Sequence, residues 1–357
     1  MKNNLYRFII SCIFGHLCFA SHEYKFPIRG AELIFPRDHG AHPDYKTEWW
    51  YLTGHFKTDK DEYGFQLTFF RSASSEDGKI RQSYMAHAAV VNKTKKFYLN
   101  EERFNQENWN AGASVSTLNT YNGNWFLSME SDSEQMRARF SIRELGVFYF
   151  DLIPQKEKVL FGDRGYSQKG KDPKNASYYI TFPRLQLKGK FLNKEGLLES
   201  MDGQVWMDHE FSSSHLSNGQ IGWNWASLQF EDQTEIMVYS MRRKDGKVDP
   251  NSVLYCIDQN GRIEEYKSHQ FSWTPIQYWK SKKTGGKYPI VYELSWHNKK
   301  GEKKFVKVKA DLESQEFVGA ISNFNYWEGS CSVFDENNQK LGLGYTEMTG
   351  YDRELTF

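Results

Sequence analysis

The sequence predicts an all-β protein made of two tandem β-units, and three observations carry that expectation. Short segments with period-two alternation recur along the 357 residues. Tight-turn sequences separate them, and the order of motifs in the first part of the chain returns in the second. Aromatic residues make up 16% of the chain, and large flat side chains favour sheets and ring-lined pockets.

Residues 1–20 differ from everything after them. Lys2 and Arg7 precede an apolar run from Phe8 to Phe19 that ends in "CFA" before Ser21. This is the layout of a secretory signal cut near Ala20, so a periplasmic or secreted protein is expected. No later stretch approaches the roughly twenty unbroken apolar residues of a membrane span. Cys12 and Cys18 would leave with the leader, which leaves Cys256 and Cys331 and room for one disulfide.

The first β-unit is expected over residues 21–214. Its strand candidates run from "EWWYLTGHF" and "YGFQLTFFR" through "SYMAHAAVVN", "NWFLSME" and "MRARFSIR" to "SYYITFPRLQLKGKF" and "QVWMDHEF". A short helix is expected around "KTKKFYLNEERF". The second unit is expected over 215–357, with "GWNWASLQF", "TEIMVYSMR", "SVLYCID" and "VYELSWH" as strands. The polar run "SSSHLSNGQ" is the joint. Trp49-x-Tyr51-x-Thr53-x-His55 in the first unit is echoed by Trp223-x-Trp225-x-Ser227-x-Gln229 in the second. A second echo sets Trp206 beside Tyr345 and Asp208 beside Glu347.

Charge excludes one class of partner. Lys+Arg is 46 and Asp+Glu is 45, so no basic surface for a nucleic acid is expected. "NKTKK" and "NKKGEKK" read as hairpin tips kept wet by lysine.

Alternate residues of a strand share a face. Glu48 and Trp50 therefore lie on one side of the first aromatic strand, and Trp49, Tyr51 and His55 on the other. In "WMDHEF", Trp206, Asp208 and Glu210 share one face, and Met207, His209 and Phe211 the other. An aspartate buried beside rings loses hydration, which raises its pKa. Such an acid can donate a proton, and the rings can stabilise a cation by about 0.5–2 kcal/mol each. The alternative for Asp208 is to tie strands together, and Trp49, Trp50, Trp223 and Trp225 read first as core. His87 is either a core histidine or a partner of Glu48 or Asp208. The histidines show no H-E-x-x-H or cysteine-pair spacing, and no phosphate loop or dinucleotide fingerprint is present, so neither metal nor cofactor is expected.

"DHGAHPDYKTEWWYLTGHF", "YYITFPRLQLKG", "GQVWMDHEF" and "YWEGSCSV…GLGYTEMTGY" resemble the lipocalin-like family that includes the carotenoid 1,2-hydratases (hydroxyneurosporene synthases) and the AttH-type proteins, many of them labelled as predicted secreted hydrolases. The resemblance runs from about residue 27 to the end. It implies two tandem lipocalin-like, calycin-type β-barrels with a ligand pocket near their junction. In the hydratases, an aspartate in a Tyr-x-Asp-His block protonates a terminal isoprenoid double bond. That aspartate falls on Asp208 and the histidine on His209, while the tyrosine is Trp206 here. The hydratases' upstream His-x-Trp falls near Tyr178 and Tyr179, so the chain looks closer to the AttH branch.

The resulting expectation is an exported hydratase or lyase acting on an apolar, isoprenoid- or lipid-like alkene. Asp208 would be the acid, with His209, Glu48 or His87 placing water or setting its charge. Trp49, Trp50, Tyr51, Trp206, Trp223, Trp225 and Tyr179 would hold the substrate. The alternative is a non-catalytic lipid carrier or attachment-related protein, peripherally associated with the envelope. A third option, hydrolysis by Asp208 and Glu347, needs both acids at one pocket.

Overall fold

The computed structural model describes residues 24–76, 79–214 and 216–355. The expected leader lies outside them. The chain forms two antiparallel sheets. Sheet A contains β1 (Thr47–Lys57), β2 (Glu62–Glu76), β3 (Lys79–Asn92), β4 (Phe97–Gln106), β5 (Ala111–Ala113), β6 (Asn119–Asn122) and β7 (Trp125–Met129). It continues through β8 (Met136–Ile142), β9 (Gly146–Pro154), β10 (Val159–Leu160), β11 (Tyr166–Gln168), β12 (Ala176–Asn193) and β13 (Leu198–Ser212). Sheet B contains β14 (Gln220–Phe230), β15 (Glu235–Arg243), β16 (Val253–Ile257), β17 (Ile263–Lys267) and β18 (Phe271–Lys280). It is completed by β19 (Lys287–His297), β20 (Lys303–Ala310), β21 (Glu316–Val318), β22 (Asn325–Phe334) and β23 (Lys340–Thr349).

Sheet A follows the order β4-β3-β2-β1-β13-β12-β9-β8-β7-β6-β5, with β10 and β11 added to β12. It curls until its ends meet. Arg103 on β4 donates to the Asn122 carbonyl on β6, and the Asn122 side-chain amide donates to the Tyr84 carbonyl on β3. The lumen is filled by Trp50, Leu52, Phe56, Phe65, Phe140, Phe148 and Phe150. Sheet A is thus one nearly closed barrel.

Sheet B follows β17-β16-β15-β14-β23-β22-β20-β19-β18 and does not close. Two tandem barrels are therefore not what the chain builds, and the edges give the reason. Strand β17 is five residues long and carries Glu264, Glu265 and Lys267, a charged edge that resists pairing. At the other end, β18 contains Pro275, which has no N–H to donate, and its ladder with β19 slips twice between Pro275 and Tyr278. The helix expected around 93–104 is also absent. Residues 92–96 make a turn in which Asn92 Oδ1 accepts from the Lys95 N–H at 2.6 Å, and Phe97–Gln106 returns as a strand against β3. One 3-10 turn, Arg37–His39, is the only helical element among the described residues. Cys256 and Cys331 are both free thiols rather than a disulfide.

The barrel wall β12-β13-β1-β2 packs its outer face on sheet B. Strand β1 is consequently buried on both sides, which is why aromatic residues occupy both of its faces. Trp50 and Leu52 enter the lumen, while Tyr51 joins Tyr179 and Trp206 against Trp225, Tyr239 and Tyr255 of sheet B. Arg184 on β12 is buried and donates to Glu235 on β15 at 2.6 Å, and Lys156 donates to the same carboxylate at 2.7 Å. Gly64 on β2 lets the sheets touch: a Cβ there would lie 2.4 Å from the Ser330 Cβ on β22.

Candidate functional site

A cavity of ≈ 330 Å³ lies between the two sheets. Equivalent rungs of the two ladders form its walls. On sheet A, Tyr51 stands opposite Thr68 on one side and Asp208 on the other, and Asp208 stands opposite Thr181. On sheet B, Trp225 stands opposite Tyr239 and Glu347, and Glu347 opposite Glu328. Directly opposed residues project to the same side of an antiparallel sheet, so register alone collects these groups. Tyr51 and Trp225 meet edge to face across the gap, 5.2 Å between centroids.

Asp208 is 2% exposed. Its Oδ1 accepts from Thr181 Oγ1 at 2.5 Å and Trp206 Nε1 at 2.8 Å, and its Oδ2 accepts from the Tyr179 hydroxyl at 2.7 Å. The Tyr179 oxygen in turn accepts from Trp225 Nε1 at 3.0 Å. Burial raises the Asp208 pKa to about 7 even though these three donors pull it down. Glu347 is pushed to about 7 as well, by burial first and then by the charges of Glu210 and Asp208, against a 2.8 Å bond from Trp223 Nε1. Glu328 is held well above the usual carboxylate range by burial and by Glu347. Its Oε1 accepts from Tyr51 at 2.6 Å.

Glu210 has a different environment. Lys169 lies 3.1 Å from its Oε2, the Ser177 hydroxyl donates to the same oxygen, and the ammonium sits over the Tyr239 ring at 4.0 Å. Burial disfavours the charge on Lys169, but Glu210, together with Tyr239 and Asp208, raises the lysine pKa.

Glu48 and Arg71 also reach the cavity wall, and behind them lies a buried network. Glu48 Oε2 accepts from Arg71 Nε at 2.8 Å and the His42 N–H at 2.9 Å; Oε1 lies 2.7 Å from His42 Nδ1 and 2.9 Å from His209 Nε2. Burial would raise the Glu48 pKa, yet His42, His209 and Arg71 hold it well below normal. Asp38 lies 3.1 Å from His42 Nε2. One ligand atom each from His42, Glu48 and His209 falls within 4.8 Å of the others, a spacing compatible with a metal ion. The donor set does not fit one. Arg71 Nε and the His42 N–H donate to the carboxylate, the His42 and His209 ring nitrogens lie within hydrogen-bond distance of it, Arg71 supplies the positive charge, and both nitrogens of His42 are engaged.

The structure brings together Asp208, Glu48, Trp49, Tyr51, Tyr179, Trp223 and Trp225 on the cavity wall, and Glu347 with them. Trp206 supports Asp208 from behind. Trp50 and His209 lie stacked on the barrel side, centroids 5.0 Å apart, with Trp50 Nε1 donating to the His39 carbonyl. His87 stands off the cavity, bridging the Tyr326 hydroxyl at 2.8 Å and Glu102 at 3.2 Å. Burial lowers its pKa. Glu328 and Lys169 escape the sequence reading. Glu328 depends on the β22–β23 register, and Lys169 sits in "SQKGKDPKN", which reads as a wet loop.

The family model of AttH-like proteins matches residues 27–351. The crystal structure of an AttH-assigned protein from Nitrosomonas europaea superposes with a TM-score of 0.81 at 28% identity, covering 91% of this chain and 98% of that one. Kievitone hydratase from Nectria haematococca superposes with a TM-score of 0.67 at 14% identity, covering 92% and 98%. At that identity the likeness is one of fold. No curated protein matches the chain. The match across every described strand makes this chain a member of the AttH-like family.

Proposed function

We propose that the chain is a hydratase- or lyase-type enzyme for an apolar alkene, with Asp208 as the proton donor. The single observation behind this reading is a buried carboxyl, its pKa raised to about 7, on the wall of a ring-lined cavity. Asp208 Oδ1 is saturated by Thr181 and Trp206, whereas Oδ2 has only Tyr179, so Oδ2 has room for the acidic hydrogen. In the forward step the alkene π pair takes that proton and forms a C–H bond, leaving a carbocation and the Asp208 carboxylate. The indoles of Trp49 and Trp225 face the developing charge. Water then adds through oxygen, and its surplus proton passes to Glu347; the lyase direction reverses each step.

The family relation and the fold shared with a hydratase support an enzyme for hydrophobic substrates. A leader over residues 1–20 would place this activity in the periplasm or outside the cell. A second reading, a lipid carrier, draws on two bonds of Asp208, from Tyr179 and Thr181, which strap β12 to β13.

Incubation of the purified protein with a cellular lipid extract, followed by mass spectrometry, tests the proposal. A ligand that gains or loses the mass of one water, and does so about 10²–10⁴-fold more slowly with Asp208→Asn, is the expected result. Recovery of an unchanged ligand from both proteins would leave the carrier. Cleavage of the ligand into two products would point instead to acid–base hydrolysis by Asp208 and Glu347.

A further inference from the structure

Among the described acids on the cavity wall, one carboxylate oxygen is fully buried without a hydrogen-bond partner. Asp208 accepts three hydrogen bonds, Glu210 has Ser177 and Lys169, and Glu347 Oε2 has the Trp223 indole. Glu328 uses Oε1 for Tyr51, but its Oε2 is buried and has no partner, in a residue 0% exposed. An unsatisfied buried polar atom costs about 1–3 kcal/mol. The nearby phenol of Tyr326 does not relieve it, since that hydroxyl meets His87 at 2.8 Å.

Position adds to this. Glu328 stands directly across the β22–β23 ladder from Glu347. Two carboxyls that close cannot both ionise in a dry site, so one keeps its hydrogen and presents an O–H donor. Glu328 belongs to sheet B and Asp208 to sheet A. Tyr51 lies between them, opposite Asp208 in the β1–β13 ladder and bonded to Glu328 across the gap. The cavity therefore has a polar anchor on one wall and the proposed proton donor on the other, with rings between.

We propose that Glu328 Oε2 docks an oxygen atom of the ligand, so that the molecule bound here is an oxygenated apolar compound, bearing a hydroxyl or carbonyl group, and not a plain hydrocarbon. This rests on the reading of the cavity as the site of an apolar ligand. The anchored oxygen fixes the register of the ligand along the cavity and thereby which carbon meets Asp208. Sites built to bond a substrate oxygen discriminate against analogues lacking it because their own polar group is then left stranded.

The test is a binding comparison with farnesol and farnesene, which share a carbon skeleton and differ in the hydroxyl. Trp49, Trp223 and Trp225 line the cavity, so intrinsic fluorescence reports occupancy. Farnesol is expected to bind the wild-type chain at least about tenfold more tightly. Glu328→Leu should erase that preference, and Glu328→Gln, which keeps a neutral donor and acceptor, should retain most of it. Equal affinities in the wild-type chain would mean that water satisfies Glu328, and would overturn the inference while leaving the apolar site intact. A preference that survives in folded Glu328→Leu would overturn it too. If neither probe binds, the apolar-ligand reading fails, and this inference fails with it. The wild-type comparison stands even if Glu328→Leu does not fold.

Discussion

Tyr51 and Asp208 are cross-strand neighbours in the barrel wall, yet they bond in opposite directions: the Tyr51 hydroxyl donates to Glu328 of sheet B, while Asp208 takes Tyr179, Thr181 and Trp206 from its own sheet. One rung thus joins the sheet interface to the acid. The contact that docks the sheets and the groups that would do chemistry share a single pair of positions.

Replacement of Asp208 by Asn should cost activity without costing the fold. The Asp208 pKa is raised from 3.8 to about 7, so the native state holds a proton that the unfolded chain has released. Its contribution to stability is complete below about pH 4 and is lost as pH rises through about 7. Asp208→Asn removes that loss. Thermal melts across this range should show the variant matching or exceeding wild type on the alkaline side, with turnover lowered about 10²–10⁴-fold. A large drop in melting temperature at every pH would make the residue structural.

The rate should be bell-shaped in pH, centred near neutrality. Asp208 must carry its hydrogen, so activity falls above about 7; Glu347, also about 7, must be ionised to accept the water proton, so activity falls on the acid side. The two limbs belong to a coupled pair. In kcat/KM profiles, Glu347→Gln should lose the acid limb and keep the alkaline one.

Glu48 behaves in the opposite sense. Its pKa is held well below normal, so its contribution is present above the ordinary carboxylate value and disappears as pH falls. Glu48→Gln strands the buried Arg71 guanidinium and should cost about 3–5 kcal/mol in denaturant titrations. Because Arg71 and both nitrogens of His42 already occupy this network, neither added zinc nor a chelator should shift the melting temperature.

The Gly64 contact can be tested through packing. Gly64→Ala drives a methyl into Ser330 and should cost about 1–3 kcal/mol, with weaker ligand binding as the cavity walls part. Ser330→Gly in the same chain should restore much of both, measured as a double-mutant cycle.

The strands were legible because period-two alternation is written locally in segments such as "MRARFSIR", which buries Met136, Ala138, Phe140 and Ile142 on one side. The number of barrels was not, because closure depends on edges, and a charged β17 and a slipped β18 carry no long-range signal. Asp208, Tyr179 and Trp225 could be named from an acid among rings. Which face of β1 met them could not be read, since a strand pressed between a barrel lumen and a second sheet is apolar on both sides. Glu328 stayed hidden because its meaning lies in what stands beside it, Glu347 on a neighbouring strand and Tyr51 from a distant part of the chain.

The two-walled construction of the cavity has a consequence for any shortened form of the protein. A product ending at the joint near residue 214 would retain Asp208 but expose the bare aromatic side of the barrel, Tyr51, Tyr179 and Trp206, to solvent. Water would reach the carboxyl and return it to ordinary acidity. Such a fragment would be sticky, readily attacked by proteases and chemically silent, so the length of chain beyond the joint is as much a part of the acid as the aspartate itself.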